Sequence, residues 1–343
     1  MLYAGLDYHL RTSDLCILND DGKVIKQLHV CGRFAEVAEA LAKLKEPLEV
    51  VFEATGGYGP LHEKLSAVAR RVVMAHPASL RLIWGTRRKN DRIDAQKLAK
   101  LLYLDAVPPA HVPQPAVRQW RRLIELRRSL VRRRAALKNQ VHALLRTCGI
   151  AAPATLFSRR GMSWFMEQEL DEASSLERAV LIEQMRNIKD QLQAVEKALA
   201  KSSNADGRVT LLMTIPGVGR RTAEAFCAYV DRIGRFSRSG KVGSYFGLVP
   251  CEDTSAGKER LGHITKQGPA VMRQLLVEAA WSGVRKSPTL RKRFEQLCGE
   301  GPGRRKIAIV AMARHLSQVM AAMLRDHQPW HEQTPAAGAD ALA

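Results

Sequence analysis

A chain of 343 residues exceeds one ordinary hydrophobic core and predicts two domains with room for a connector. Lys and Arg number 54 against 34 Asp and Glu, giving a formal charge of +20, far beyond what solubility needs and pointing to a polyanionic partner. A hydrophobic content of 46% excludes a disordered basic tail, and the six scattered cysteines, with no CxxC pair, suit reduced thiols in a cytoplasm rather than structural zinc. The opening "MLYAGLDYHL" lacks a basic segment followed by a long apolar run, and charges interrupt every apolar stretch before 18 residues, so neither secretion nor a membrane span is expected.

From residue 2 to about 84 the apolar pattern is short and strand-like. "LYAGLDY" and "SDLCILNDDGKVIKQLHV" read as antiparallel strands, with a hairpin at Asp21-Gly22. "FAEVAEALAKL" has helical period, "LEVVFEA" is a buried-strand run, "GPLHEKLSAVA" is helical and "RVVMAHP" is a further strand. The order βββαβαβα predicts a mixed sheet covered by helices.

Between Val112 and Arg146 ten Lys or Arg face the single Glu125, and Leu123, Leu130, Leu137 and Leu144 recur every seven residues. This is a long basic helix with one apolar seam. A break at "GIAAPATLF" precedes a second heptad-like series, Leu181, Met185, Ile188, Leu192, Val195 and Leu199. An antiparallel pair of long helices is predicted. From Thr210 the chain runs from "TIPGVGRRTAEAFCAYV" through a Gly-rich middle to the helical "IAIVAMARHLSQVMAAML", and the tail "QTPAAGADALA" reads as disordered.

Four acids could converge from three elements of the first segment. Asp7 lies in the first strand, Glu53 ends the buried run "LEVVFEATGGYG", and Asp91 and Asp94, in "RKNDRIDAQKLAK", share one helix face. Convergent carboxylates repel, whereas one or two Mg²⁺ ions would hold them ionised and could activate a hydroxyl against a phosphodiester. Taken singly, Asp7 could be a strand-end hydrogen bonder, Glu53 a partner for an arginine, and Asp91 a helix N-cap followed by Asp94 at the N3 position. Glu53, beside the flexible "ATGGYG", favours a functional role. His9, His62 and His76 could sit near the acids, and Trp84, Trp120 and Tyr245 could stack bases, but packing roles are the simpler reading of each.

The blocks "GLDYH", "FEATGGYG" and "KNDRIDAQKLAKLL" resemble the signatures of the DEDD transposases of insertion-sequence family one hundred and ten, relatives of the Piv-like invertases. The resemblance implies a RuvC-like first domain of RNase H fold whose acids, here Asp7, Glu53, Asp91 and Asp94, bind Mg²⁺, with Mn²⁺ able to substitute.

Further along, "IPGVGRRTA" resembles the turn of helix-hairpin-helix modules: Gly217 and Gly219 permit a tight turn and Arg220 and Arg221 supply charge for a phosphate. A plain helix-helix turn is the alternative. "YFGLVP", "TSAGK", "GHITKQG" and the trailing "MRQLL" resemble the C-terminal block of the same transposases, in which the serine nucleophile falls at Ser255. Lys258 and Lys266 could neutralise the attacked phosphate, and Ser244 is the competing serine. The chain departs from the family pattern at Ser255-Ala256-Gly257 and Gly268-Pro269, where Ser-Gly and Gly-Asn are common.

The expected fold is therefore α/β plus α. Residues 1–111 form the RuvC-like domain, 112–205 a basic helical, coiled-coil connector, and 206–330 a mainly helical transposase domain with the hairpin motif, followed by the tail 331–343. Arg132, Arg133 and Arg134 on the basic helix would grip nucleic acid. The resemblance implies a recombinase that cuts and rejoins DNA, guided by a bridge RNA that pairs with donor and target, as dimers assembling into a tetramer in the bacterial cytoplasm at the nucleoid. Two alternatives stay open: a RuvC-like nuclease that hydrolyses branched DNA with water, and a non-catalytic nucleic-acid-binding protein.

Overall fold

The computed structural model describes residues 1–83, 90–204, 206–252, 261–299 and 302–332. The chain divides into two compact units, Met1–Pro115 and Ala116–Ala343.

The first unit follows the predicted order. Strands β1 (Leu2–Tyr8), β2 (Thr12–Leu18) and β3 (Val24–Cys31) precede α1 (Phe34–Ala42); β4 (Leu48–Glu53), α2 (Tyr58–Ser66), β5 (Arg71–Ala75), α3 (Pro77–Ile83) and α4 (Asp91–Tyr103) follow. The sheet order is β3-β2-β1-β4-β5, antiparallel among the first three strands and parallel from β1 to β4 and β4 to β5. This mixed sheet is consistent with the RuvC-like expectation.

Alternation of side chains along β1 and β4 sorts the residues by face. Leu2, Ala4, Leu6 and Tyr8 join Val50 and Phe52 in a core with Val37, Leu41, Leu61 and Leu65 of α1 and α2. The opposite face, bearing Gly5, Asp7, Val51 and Glu53, belongs to α4: Val51 packs with Leu98, Leu101 and Leu102. Where β1 meets α4 the contact is backbone to backbone. A Cβ on Gly5 would lie 2.1 Å from the Ala95 carbonyl oxygen and 2.3 Å from the Ala99 nitrogen. Only glycine opposite two alanines lets the helix come this close.

The second unit is mainly helical: α5 (Pro115–Thr147), α6 (Arg159–Glu167), α7 (Glu172–Ser203), α8 (Gly207–Leu212), α9 (Arg220–Val230), α10 (Gly240–Tyr245), the hairpin strands β6 (Pro250–Glu252) and β7 (Leu261–Ile264), α11 (Ala270–Lys286), α12 (Pro288–Cys298) and α13 (Arg305–Asp326). The leucine seam of α5 turns inward onto α7. Ile124 and Leu130 share a core with Leu192, Val195 and Leu199, while Leu137 and Leu144 share another with Leu181 and Ile182, so the two helices run antiparallel. Helix α13 is long and apolar enough by composition to cross a membrane, but 56% of its most apolar window is buried within the unit, where Met312, Leu316 and Met320 fill the core. Most of the predicted disordered tail, residues 333–343, lies outside the described residues.

Candidate functional site

Asp7 and Glu53 stand at the carboxyl ends of adjacent parallel strands. Leu6 pairs with Phe52, so one further step along each strand sets the two acids side by side on the face that α4 covers. The helix brings the other pair. Its alanines 95 and 99 sit over Gly5, and one turn toward the amino terminus carries Asp91 and Asp94 to the end of β1 where Asp7 lies.

The helix N-cap is Asn90, whose side chain accepts from the Arg92 backbone N–H at 3.1 Å. Asp91 is thus the first helical residue rather than the cap, and its carboxylate is not spent on the helix terminus. Asp94 receives Lys97 Nζ at 3.3 Å.

Of the four acids, Asp7 and Asp91 offer ligand atoms to one another's neighbourhood, and Glu53 and Asp94 are near enough for their charges to bear on Asp7. Burial pushes the Asp7 carboxyl above the ordinary aspartate range; His9 opposes that shift, and the charges of Asp91, Asp94 and Glu53 reinforce it. His9 Nε2 stands 3.5 Å from Asp7 and 3.7 Å from Asp91, contacts too long for good hydrogen bonds and attractive only when the ring is protonated. Asp7, His9 and Asp91 offer ligand atoms that all lie within 4.8 Å of one another. The donor set fits a hard divalent cation: carboxylate oxygens suit Mg²⁺, and the imidazole nitrogen is better matched to Mn²⁺.

Two neighbours of this centre were not singled out in the sequence as site residues. His9 follows Asp7 at strand spacing, a signal that "GLDYH" already carries. Asp14 sits directly across from Asp7 on β2; it is buried, accepts from or pairs with His29 Nδ1 at 3.2 Å, and faces Arg92 Nε at 3.8 Å. His62 is on α2 against Phe52, and His76 bonds Ser79; Trp84 lies outside the described residues.

In the second unit the predicted phosphate-binding residues divide. Gly217 has φ +94°, and a Cβ there would lie 2.3 Å from the Gly283 nitrogen, so this glycine serves close packing of the turn on α11. Gly219 is the N-cap of α9 and has open space around it. Arg220 and Arg221 are engaged: their guanidinium groups donate to the fully buried Glu224 at 3.1 and 2.8 Å, and Ser203 Oγ donates to the same carboxylate at 2.6 Å.

Arg132, Arg133 and Arg134 are exposed along α5 and form no ion pair among the described residues. Lys266 has φ +54° in a loop tied down by Arg273, which donates to the carbonyls of Phe246, Gln267 and Gly268. Ser244 is exposed on α10, whereas Ser255 and Lys258 lie outside the described residues, in the segment that joins β6 to β7.

Comparison with known proteins agrees with both units. A profile for DEDD transposases of the IS110 type matches residues 4–150, and the profile described as "Transposase IS116/IS110/IS902 family" matches residues 209–295; together they cover more than half of the chain. The transposase for insertion sequence element IS1111A of Coxiella burnetii is 27% identical over 285 residues, 80% of this chain and 76% of that protein. A probable family 20 transposase of Pseudomonas aeruginosa is 29% identical over 254 residues, 69% of this chain and 72% of that protein. The transposase for element IS1328 of Yersinia enterocolitica is 27% identical over 238 residues, 68% of this chain and 70% of that protein. The acids gathered by β1, β4 and α4 fall within the first matched stretch, the glycine turn and the β6–β7 hairpin within the second, and the chain belongs to the IS110-type DEDD transposase family, enzymes of DNA transposition.

Proposed function

We propose that this transposase cuts and rejoins DNA at the ends of a mobile element, with Asp7, Glu53, Asp91 and Asp94 holding Mg²⁺ and Ser255 as the nucleophile. The observation that carries the reading is the crowding of carboxylates on Asp7, whose charged form the site disfavours unless a cation is present. Bound there, the metal supplies Lewis-acid activation of a hydroxyl and stabilises developing charge on phosphate oxygens; Mn²⁺ would serve in its place. Ser255 Oγ would bond to phosphorus as the strand's hydroxyl leaves, and attack by a second strand's hydroxyl would release the serine and reseal the DNA.

In this reading the exposed Arg132, Arg133 and Arg134, together with Lys258, Lys266 and the open backbone at Gly219, hold phosphates, and Gly217, Arg220 and Arg221 keep the hairpin turn in shape. Residues 1–111, 112–205 and 206–330 act as catalytic, coiled-coil and helix-hairpin-helix segments. A bridge RNA selects donor and target by pairing, and dimers join into a tetramer in the cytoplasm, at the nucleoid.

The test is strand cutting by purified protein with its copurified RNA, DNA and Mg²⁺. Asp7→Asn and Glu53→Gln should each abolish cutting while nucleic-acid binding is kept, and the wild type should yield a denaturation-resistant adduct whose linked peptide contains Ser255 and which Ser255→Ala lacks. Full cutting by either acid variant would sink the metal site. An adduct at Ser244 would move the nucleophile, and cutting without any adduct would make the protein a hydrolytic nuclease.

A further inference from the structure

Within the second unit, α5, α7, α9 and α11 line an open-mouthed cavity of ≈ 120 Å³, the share of about four waters in the liquid. Ile124, Val131, Leu199 and Leu275 give it apolar walls, while four guanidinium groups, of Arg127, Arg128, Arg132 and Arg221, outnumber the carboxylates of Glu224 and Glu278 in its lining. Such a combination is unlike a core void, which is apolar throughout, and unlike a solvated charged face, which has no walls.

The cations are not all satisfied. Arg221 donates to Glu224 at 2.8 Å and Arg127 to Glu196 at 2.8 Å, and Glu278 accepts from Gln274 at 3.0 Å. Among the described residues Arg128 reaches only Glu125, at 3.4 Å through Nη1, and its Nε is buried with no hydrogen-bond partner. Arg132, one helical turn further along α5, forms no ion pair among the described residues. A buried N–H of a charged group without an acceptor is costly, and an anion is the acceptor its charge selects. The surplus is felt nearby: burial first, and then the charge of Arg128, depress the Arg273 guanidinium.

We propose that the mouth of this cavity receives one unpaired nucleotide of a bound nucleic-acid strand, its phosphate on Arg128 and Arg132 and its base against the partly exposed Val131 and Leu275. A phosphate alone would leave the apolar walls uncovered, and an apolar ligand would leave Arg128 Nε without an acceptor. A nucleotide meets both demands, and the Gln274 amide oxygen, whose nitrogen already donates to Glu278, is in the lining to accept from a base edge. The inference rests on the reading that this chain handles nucleic acid, and adds to it a site that distinguishes an unpaired residue from a paired one.

The test is binding without divalent metal, so that strand cutting plays no part and failure of the transposase reading leaves the result intact. The full chain is titrated with a duplex carrying a single unpaired 2-aminopurine, with the fully paired duplex of the same sequence, and with the RNA counterparts of both. The wild type should bind the bulged forms more tightly and change the fluorescence of the unpaired base. Arg128→Gln and Leu275→Trp, which removes the anion's partner and fills the cavity respectively, should each weaken bulged binding by roughly tenfold and leave paired binding unchanged. Adenosine monophosphate should compete, and inorganic phosphate should not. Equal losses on bulged and paired forms, no loss in the arginine variant, or competition by phosphate as strong as by the nucleotide would overturn the proposal. Arg128→Gln, at a partly exposed helix position, keeps the test standing if the tryptophan variant fails to fold.

Discussion

Two carboxylates taken out of water, one in each unit, show how differently the same group can be used. Glu224 is fully buried, and Arg220, Arg221 and Ser203 surround it with donors at 3.1, 2.8 and 2.6 Å. Asp7 keeps 15% of its side chain exposed and feels the charges of Asp91, Asp94 and Glu53 instead, with His9 the one opposing group among the described residues. A charge buried among matched donors is an architectural element; a charge buried among like charges is held toward its neutral form and suits a cation from solution. Burial alone would not have separated the two.

The comparison can be broken most forcefully at Glu224. Replacing both arginines, Arg220→Gln with Arg221→Gln, strands a buried carboxylate and should cost about 3 kcal/mol or more of stability in urea unfolding, with Ser203 alone left to serve it. If the double variant unfolds at the wild-type midpoint, Glu224 is not the fixed point described. Next in size is Gly5→Ala. The added methyl meets the backbone of α4, so it should destabilise by about 1–3 kcal/mol and, by shifting Asp91 and Asp94 off Asp7, lower the cutting rate by roughly 100-fold. Unchanged cutting would mean that α4 does not set the spacing of the acids.

The smallest expected effect sharpens the contrast, because it has the opposite sign. Asp7 has a raised pKa in the folded chain, so its protonated form favours folding below the ordinary aspartate range, and that contribution is lost as the pH rises through the folded value. Asp7→Asn keeps the neutral form at every pH. Metal-free, it should melt a few degrees above the wild type at pH 7, with the gap closing in acid. Mg²⁺ should raise the melting point of the wild type and not of the variant. A variant that melts lower at pH 7 would show that Asp7 is held by favourable partners after all.

Local pattern carried much of this molecule into view. The short apolar runs of β1, β4 and β5, the Asp21-Gly22 turn and the leucine seam of α5 all report their own elements, because each is set within a few residues. The gathering of Asp7, Glu53, Asp91 and Asp94 was legible through their flanking blocks. Asp14 was not: its place beside Asp7 depends on the register of two strands, in which Asp7 faces Asp14 and Gly5 faces Cys16. Nor was the role of Gly5, which appears only when Ala95 and Ala99, ninety residues on, come to rest on it. The engagement of Arg220 and Arg221 had a sequence signal that a reading for phosphate passes over: "RRTAE" sets both arginines at helical spacing from Glu224.

Helix α4 is seated at both ends. Near its start it lies in the notch at Gly5, and at its finish the Tyr103 ring lies edge-on to Tyr3 and within 2.8 Å of where a Cβ on Gly22 would be. Between these seats there is no loop to take up slack, so the helix acts as a gauge block whose angular phase, as much as its composition, decides where Asp91 and Asp94 point. Losing or gaining a single residue between Asp94 and Tyr103 would rotate one end against the other by about 100°. The spacing of the acids is thus encoded partly as a residue count, a quantity that no individual side chain along the helix reveals.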